Sequence, residues 1–314
     1  RSKLNMTELV TINTESYATM AKAMGLPTSS GEKKTNVLNR FRIWHNPTMG
    51  MGQANGKSVK MEVVEGGMYR LEIPSDPSVF YFSEKVEFRP FLQRFMYKKF
   101  KQNRNAKEGD KQGGYVKTIM SDTLNIDLKD NDGTFNCGKP TGYVKDFQAL
   151  PEDTKKLIKT IKRNRVVFGV VKMIDPVKGI DGNEIEDLPE FPVIWEIENR
   201  DAYKAIGDVF SRFAKMEALP LQHIIKLDGT KENKLNNGGS FYTPIVQLDT
   251  SNKLEISDED HKVFGDLLDW VKAYNDNIIA SWDAKVSERQ EEVSEEDMET
   301  VEDFIDVEMD SDAK

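Results

Sequence analysis

The sequence predicts an α+β protein, a small β-barrel of short strands with attached helices and a disordered or flexible acidic tail. Three observations carry that reading. Short aromatic and β-branched runs, separated by Gly, Pro and Asn, recur through the chain. A few segments show helical periodicity instead. Charge is segregated: residues 286–314 hold thirteen acids against Arg289 and Lys314, a balance of −11, and the rest of the chain is near neutral at +2.

Taken in order, residues 1–26 read as a polar arm followed by a short helix, "TESYATMAKAMGL", stopped by Gly25 and Pro27. Residues 27–285 read as the core. "LPTSSGEKKTN" is loop-like, and "FRIWHNP", "KSVKMEVVEGG" and "MYRLEIP" are short strands. "VFYFSEKVEFRPFLQRFMYKKF" is strand-like, with Pro90 at a bend or an edge. "YVKTIM" and "LNIDL" resume strand character after a polar loop. "LPEDTKKLIKTIKRN" is a helix with Leu157, Ile158 and Ile161 on one face. "RVVFGVVKMID" is a buried strand with "FPVIWEIE" beside it, and Trp44 and Trp195 are expected in the core. "DAYKAIGDVFSRFAKMEA" is an amphipathic helix, and "LQHIIKL" with "FYTPIVQL" a hairpin across an Asn-Asn-Gly-Gly turn. "SDEDHKVFGDLLDWVKAYNDNIIASW" is a helix with Ser257 as its N-cap.

The 314 residues suffice for one large domain or two modest ones, and the mean hydropathy of −0.59 is that of a soluble chain. No apolar run approaches the roughly 18 residues of a membrane helix. The N-terminal residues carry no signal-peptide pattern, and Cys137, the single cysteine, can form no intrachain disulfide. A cytoplasmic location is the expectation.

Motifs that would carry catalysis are incomplete. "GMGQANGKSV" ends in Gly56-Lys57-Ser58 like a phosphate loop, but Met51 stands where the first glycine belongs and a strand-like run follows instead of a helix. "DLKDNDGTF" imitates a calcium loop with Leu128 and Lys139 at ligand positions, so it reads as a turn. Cys137, His45, His223 and His261 are scattered without metal-ligand spacing. No cofactor, no metal and no enzyme activity are expected.

Cations and aromatic rings supply a different signal. "FRPFLQRFMYKKFKQNRN", residues 88–105, interleaves four Phe and a Tyr with three Arg and three Lys. Residues 87–117 carry a balance of +6 and residues 155–172 a balance of +7. Cations along a groove track phosphates, and aromatic faces stack on unpaired bases at about 1–3 kcal/mol per base. Single strands expose those faces. The candidate contacts are Arg89, Phe91, Arg94, Phe95, Tyr97, Lys98, Lys99, Phe100, Lys101, Arg104, Tyr115, Lys117, Lys159, Lys162, Arg163 and Arg165. The alternative for the rings is that all are core, with the cations along a solvated edge.

The layout resembles the phage replication single-stranded DNA-binding proteins of the helix-destabilising type. The resemblance rests on the arm "RSKLNMTEL", the blocks "FRPFLQRFMYKKFK" and "IKRNRVVFGVVKMIDP", the run "FPVIWEIENRDAYKAIGDVFSRFAK", and the tail at 286–314. It implies an OB-fold-like core and sequence-independent binding and protection of single-stranded DNA in replication, recombination and repair. It also implies self-association on DNA. A −11 tail tethered to a body with basic blocks is expected to compete with DNA at a high effective concentration and, once released, to recruit a polymerase, helicase or helicase loader. Phe304 and Ile305 are the apolar pair expected to dock that partner. The zinc-binding cysteines of some family members are missing here, so ordinary packing must replace any zinc-stabilised subdomain. Two other classes stay open: a nucleotide-dependent replication enzyme using residues 50–58 and an acid such as Asp175, and a scaffold or virion assembly protein.

Overall fold

The computed structural model describes residues 38–103, 113–140, 146–186, 188–236 and 238–309, with side chains as far as Gln290. The arm and short helix at 1–26 therefore lie outside the described residues, as does Arg104. Twelve strands are described: β1 (Asn39–Ile43), β2 (Thr48–Ala54), β3 (Lys57–Val64), β4 (Tyr69–Glu72), β5 (Phe80–Ser83), β6 (Lys85–Gln102), β7 (Gly113–Lys117), β8 (Lys162–Ile174), β9 (Val177–Lys178), β10 (Phe191–Ile197), β11 (Ile225–Lys234) and β12 (Ser240–Leu248). The helices are α1 (Glu152–Thr160), α2 (Arg200–Lys215) and α3 (Asp258–Met309).

Ten strands form one sheet in the order β12-β11-β6-β8-β10-β1-β4-β5-β9, with β7 added to β6; β2 and β3 form a separate hairpin. The chain is therefore mixed α+β with a large sheet whose hydrogen-bonded ends are β12 and β9. β6 is its spine. One edge pairs with β8 from Lys85 to Lys98, and the other pairs with β11 up to Phe88 and with β7 from Lys98 onward. Pro90 sits at a register shift in the β8 ladder, beyond the last β11 pair. A residue without an N–H is tolerated at such a bulge. The sharper turn lies elsewhere. Glu84 separates β5 from β6, and the Ser83 hydroxyl holds that corner against Lys85 O at 2.6 Å and against Ile174 O of β8.

Alternation along the strands sorts their side chains into separate cores. Phe41, Leu71, Val86, Phe88, Val167, Val171, Val193 and Trp195 fill one face, closed by Ile206, Val209 and Phe213 of α2. Asn199 caps α2 by accepting from the N–H groups of Asp201 and Ala202. On the opposite face Phe91, Leu92, Met96, Val166, Phe168 and Ile194 meet Leu267 and Val271 of α3. A third cluster joins Tyr97 and Val116 to Leu128, Cys137 and Ile161, with Leu157 of α1 against it. Trp195 is core, whereas Trp44 is half-buried, with the Arg42 and Arg70 guanidinium carbons 4.9 and 4.1 Å from its ring.

Three segments differ from expectation. Residues 124–128, read as a strand, have no strand and lead only into isolated bridges at Lys129 and Asp130. The start of "GMGQANGKSV", which resembles a phosphate loop, belongs to a strand at Thr48–Ala54, turned back at Asn55 and Gly56, both at positive φ (52° and 73°). Asn-Gly is the sequence best suited to such a two-residue hairpin turn, and the glycines of β2 hid the alternation. The segment at 286–314, expected as a flexible tail, has helical backbone through Met309. No Gly or Pro interrupts residues 266–309, and Glu, Lys, Leu and Met are good helix formers. Phe304 and Ile305 lie in this helix, and their expected docking role concerns side chains outside the described residues.

Ser257 and Asp260 start α3 with reciprocal bonds: the Asp260 N–H to Ser257 Oγ at 3.2 Å and the Ser257 N–H to Asp260 Oδ2 at 2.8 Å. The Asp260 carboxylate also takes both Arg89 nitrogens, at 2.7 and 3.0 Å, while Arg89 Nε donates to Leu221 O. Arg89 is thus a strut between β6 and α3, not a free phosphate contact. Burial pushes the Asp260 carboxyl up, but the bonds from Ser257 and Arg89 outweigh it and hold the group below its ordinary value. A depressed carboxyl contributes stability above the unfolded pKa of about 3.9 and loses it as pH falls through the folded value. Asp260→Asn is expected to destabilise the protein by about 2 kcal/mol at pH 7. It should also flatten the acid limb of a stability-versus-pH curve measured by urea unfolding.

Candidate nucleic-acid interface

The β6–β7 hairpin and the start of β8 gather cations by register. Lys98 lies directly opposite Lys117 on β7 and opposite Lys162 on β8, so three lysines form one rung across three strands. Like charges placed opposite each other destabilise a sheet. The Lys98 ammonium is 3.3 Å from Glu196 Oε2 and 4.5 Å from the Tyr115 ring. Burial lowers the pKa of the Lys117 ammonium; Glu196 opposes that effect, and Lys98 and Arg40 add to it. Arg40 of β1 thereby belongs to the same electrostatic neighbourhood. Glu196 is in contact with Lys98 and also acts on the Lys117 ammonium.

The next rung on this face is aromatic. Phe100 stands opposite Tyr115, with centroids 5.2 Å apart and planes at 70°. The rings are 51% and 53% exposed. Lys99, Phe100, Lys101, Tyr115, Asn131 and Asp132 line an open cleft of about 870 Å³ at this end of the sheet. Lys101 reaches Asp132 at 2.8 Å. The arrangement offers flat apolar faces beside a row of ammonium groups, which suits an unpaired base next to its phosphate.

The other candidates divide sharply. Phe91 and Tyr97 are 4% exposed and cannot stack on a ligand, because β6 turns Phe91 under α3 and Tyr97 into the third core. Arg94 is half-buried, with Nη1 on Gln93 O. Arg165 is buried against Phe95 and Tyr203, on the face of the sheet opposite the lysine rung. Phe95 is half-buried beneath it. Lys162 and Arg163 are exposed at the start of β8, and Lys159 is exposed on α1. The structure thus brings together Lys98, Lys99, Phe100, Lys101, Tyr115, Lys117 and Lys162. It adds Arg40 and Glu196, which sequence reasoning missed; Tyr203, also missed, lies with Arg165 and Phe95 on the opposite face. Arg40 was visible as an outward position of the alternating "NRFRI", but its neighbours come from strands distant in sequence.

The remaining motifs carry no site of their own. The Gly56-Lys57-Ser58 segment is the turn and first residues of a hairpin, and no helix follows it. In the calcium-like loop the Asp130 carboxylate is occupied by the N–H groups of Asp132, Thr134 and Cys137 and by the Thr134 hydroxyl. Among the described residues no group of His, Cys, Asp and Glu is arranged to hold a metal ion. His45 accepts from the Tyr242 N–H, and burial lowers its pKa. Cys137 is 3% exposed; burial first, then Asp130 and Asp132, push its thiol up to about 12 against the pull of Lys99.

The native protein is therefore expected to resist iodoacetamide at pH 8 and to react at a free-thiol rate once unfolded in urea, with mass spectrometry as the readout. No family model, no curated protein and no solved structure matches this chain.

Proposed function

We propose that the protein binds single-stranded DNA without sequence preference, as a coating protein of phage-type replication, recombination and repair, and makes or breaks no bond. The observation that carries this is the lysine rung beside the exposed Phe100–Tyr115 pair. A sheet that places three lysines abreast gives up stability at that point, and a polyanion on that surface would recover it. Two exposed rings on the adjacent rung supply the stacking that duplex phosphates do not need.

The body also fits an OB-like reading. β5 passes through Glu84 into β6, and the pairings β5–β4, β4–β1, β1–β10, β10–β8 and β8–β6 lead back to that same bent run. The β1–β10 pair is parallel and the others antiparallel. The acidic segment, with Phe304 and Ile305, would recruit replication partners, and copies would associate along the strand.

The test is fluorescence anisotropy with labelled oligothymidylate and with duplex DNA over a series of salt concentrations. Log affinity for the single strand should fall linearly with log salt, by about 0.7 per phosphate contact. Lys98→Ala should make the slope shallower by about that amount. Phe100→Ala with Tyr115→Ala should weaken binding by about 1–3 kcal/mol per base lost while the slope holds. Glu196→Gln, which removes the one carboxylate of the rung, should tighten binding most at low salt. Equal affinity for duplex and single strand would sink the reading. Binding to neither would favour a scaffold whose cations meet an acidic protein.

A further inference from the structure

The start of β8 presents cations to both faces of the sheet. Lys162 shares the outer face with Lys98, whereas Arg163 and Arg165, at odd positions, pair with Tyr97 and Phe95 on the other. There the Arg165 guanidinium carbon lies 4.9 Å from the Phe95 ring and 4.5 Å from the Tyr203 ring, and that of exposed Arg163 lies 5.8 Å from Tyr203.

Arg165 is only 8% exposed, and its environment is unusual for a buried cation. Its polar partner is the neutral Gln93 amide oxygen, to which Nη1 donates. Its Nε is buried with no acceptor; among the described residues no carboxylate is within ion-pair distance of it, although Asp208 of α2 acts on it electrostatically and favours its charge. A buried charge with no carboxylate in contact is costly. Yet the fold makes room for this one. A Cβ on Gly207 of α2 would stand 2.6 Å from Arg165 Nη2, so the helix carries a glycine there at about 1 kcal/mol relative to alanine. A guanidinium with unused donors, a second guanidinium exposed beside it and a ring between them are the parts of a phosphate site.

We propose that Arg163, Arg165 and Tyr203 form a second phosphate site, which takes a phosphodiester of the bound strand as it passes from the lysine rung round the start of β8. The proposal rests on the single-strand reading above. Lys162 and Arg163 are consecutive and point to opposite faces, so a backbone crossing the strand end meets one and then the other. A strand too short to round that end would contact the outer face alone.

The experiment has two arms. Wild-type protein with 15N-labelled arginine is titrated with inorganic phosphate and, separately, with oligothymidylates from about 4 to about 16 nucleotides, the span of OB-type grooves. In parallel, Arg163→Ala, an exposed change that leaves the Arg165 packing in place, is titrated by anisotropy across the same lengths and several salt concentrations. The Arg165 Nε–H resonance should move downfield with the longer oligomers and not with the shortest. Arg163→Ala should leave short-oligomer binding unchanged and lower the salt slope on long ones by about 0.7. If oligomers bind but Arg165 does not move and Arg163→Ala matches wild type at every length, the second site is wrong and the single-strand reading stands. If no oligomer binds but phosphate shifts Arg165, the single-strand reading fails and the pocket serves a free phosphate ester instead. Silence of Arg165 toward phosphate and every oligomer overturns the site outright.

Discussion

The β6–β8 ladder is the constraint on which the rest of this structure depends. One eighteen-residue strand runs the height of the molecule, and period-two alternation obliges each neighbouring pair of residues to serve opposite faces. The shift at Pro90 and Leu92 resets that alternation part-way along. Below it Val86 and Phe88 fill the core under α2; above it Met96 meets α3, Tyr97 enters the third cluster, Lys98 meets Glu196 and Phe100 emerges. The composition that makes the stretch conspicuous follows from this division. A strand that faces three cores and one open surface needs many rings for the former and several cations for the latter.

Much of the fold was legible because its elements carry strong local signals. Ser257 before an acidic first turn marked α3, the apolar run of "RVVFGVV" marked β8, and the Asn-Asn-Gly-Gly turn marked the β11–β12 hairpin. What failed was non-local. The bulge in β6 decides which of Phe91, Phe95, Tyr97 and Phe100 faces water, and a shift of one residue exchanges the answer. Arg89 reads as a phosphate contact until Asp260, far along the chain, is seen to hold it. Arg165 reads as an open cation until α2 is laid across it. Composition marked the region of the candidate site, while register chose its members.

Charge is distributed with the same division of labour. Arg289 donates to the carbonyl of Asp132 and, at 3.0 Å, to that of Gly133, and Lys129 lies 4.0 Å from the Trp282 ring. The loop that lines the cleft is thus also the loop on which α3 rests. Asp132 bonds Lys101 on one side, and its backbone bonds the helix on the other. The acidic segment therefore begins at a point adjoining Lys101. Loosening that loop would change lysine availability and helix anchorage together.

Among the described residues β12 pairs with a strand on one side only; its Tyr242 N–H is taken by His45, and Pro244 occupies its middle. On the proposed reading, copies crowded along a polymer would meet at local concentrations far above those in free solution, where unprotected strand edges fuse into continuous sheets. Proline has no N–H to contribute to such a fusion. Crowding on a strand would then remain reversible, governed by surface contacts that let go when the polymer does, instead of by backbone ladders that do not.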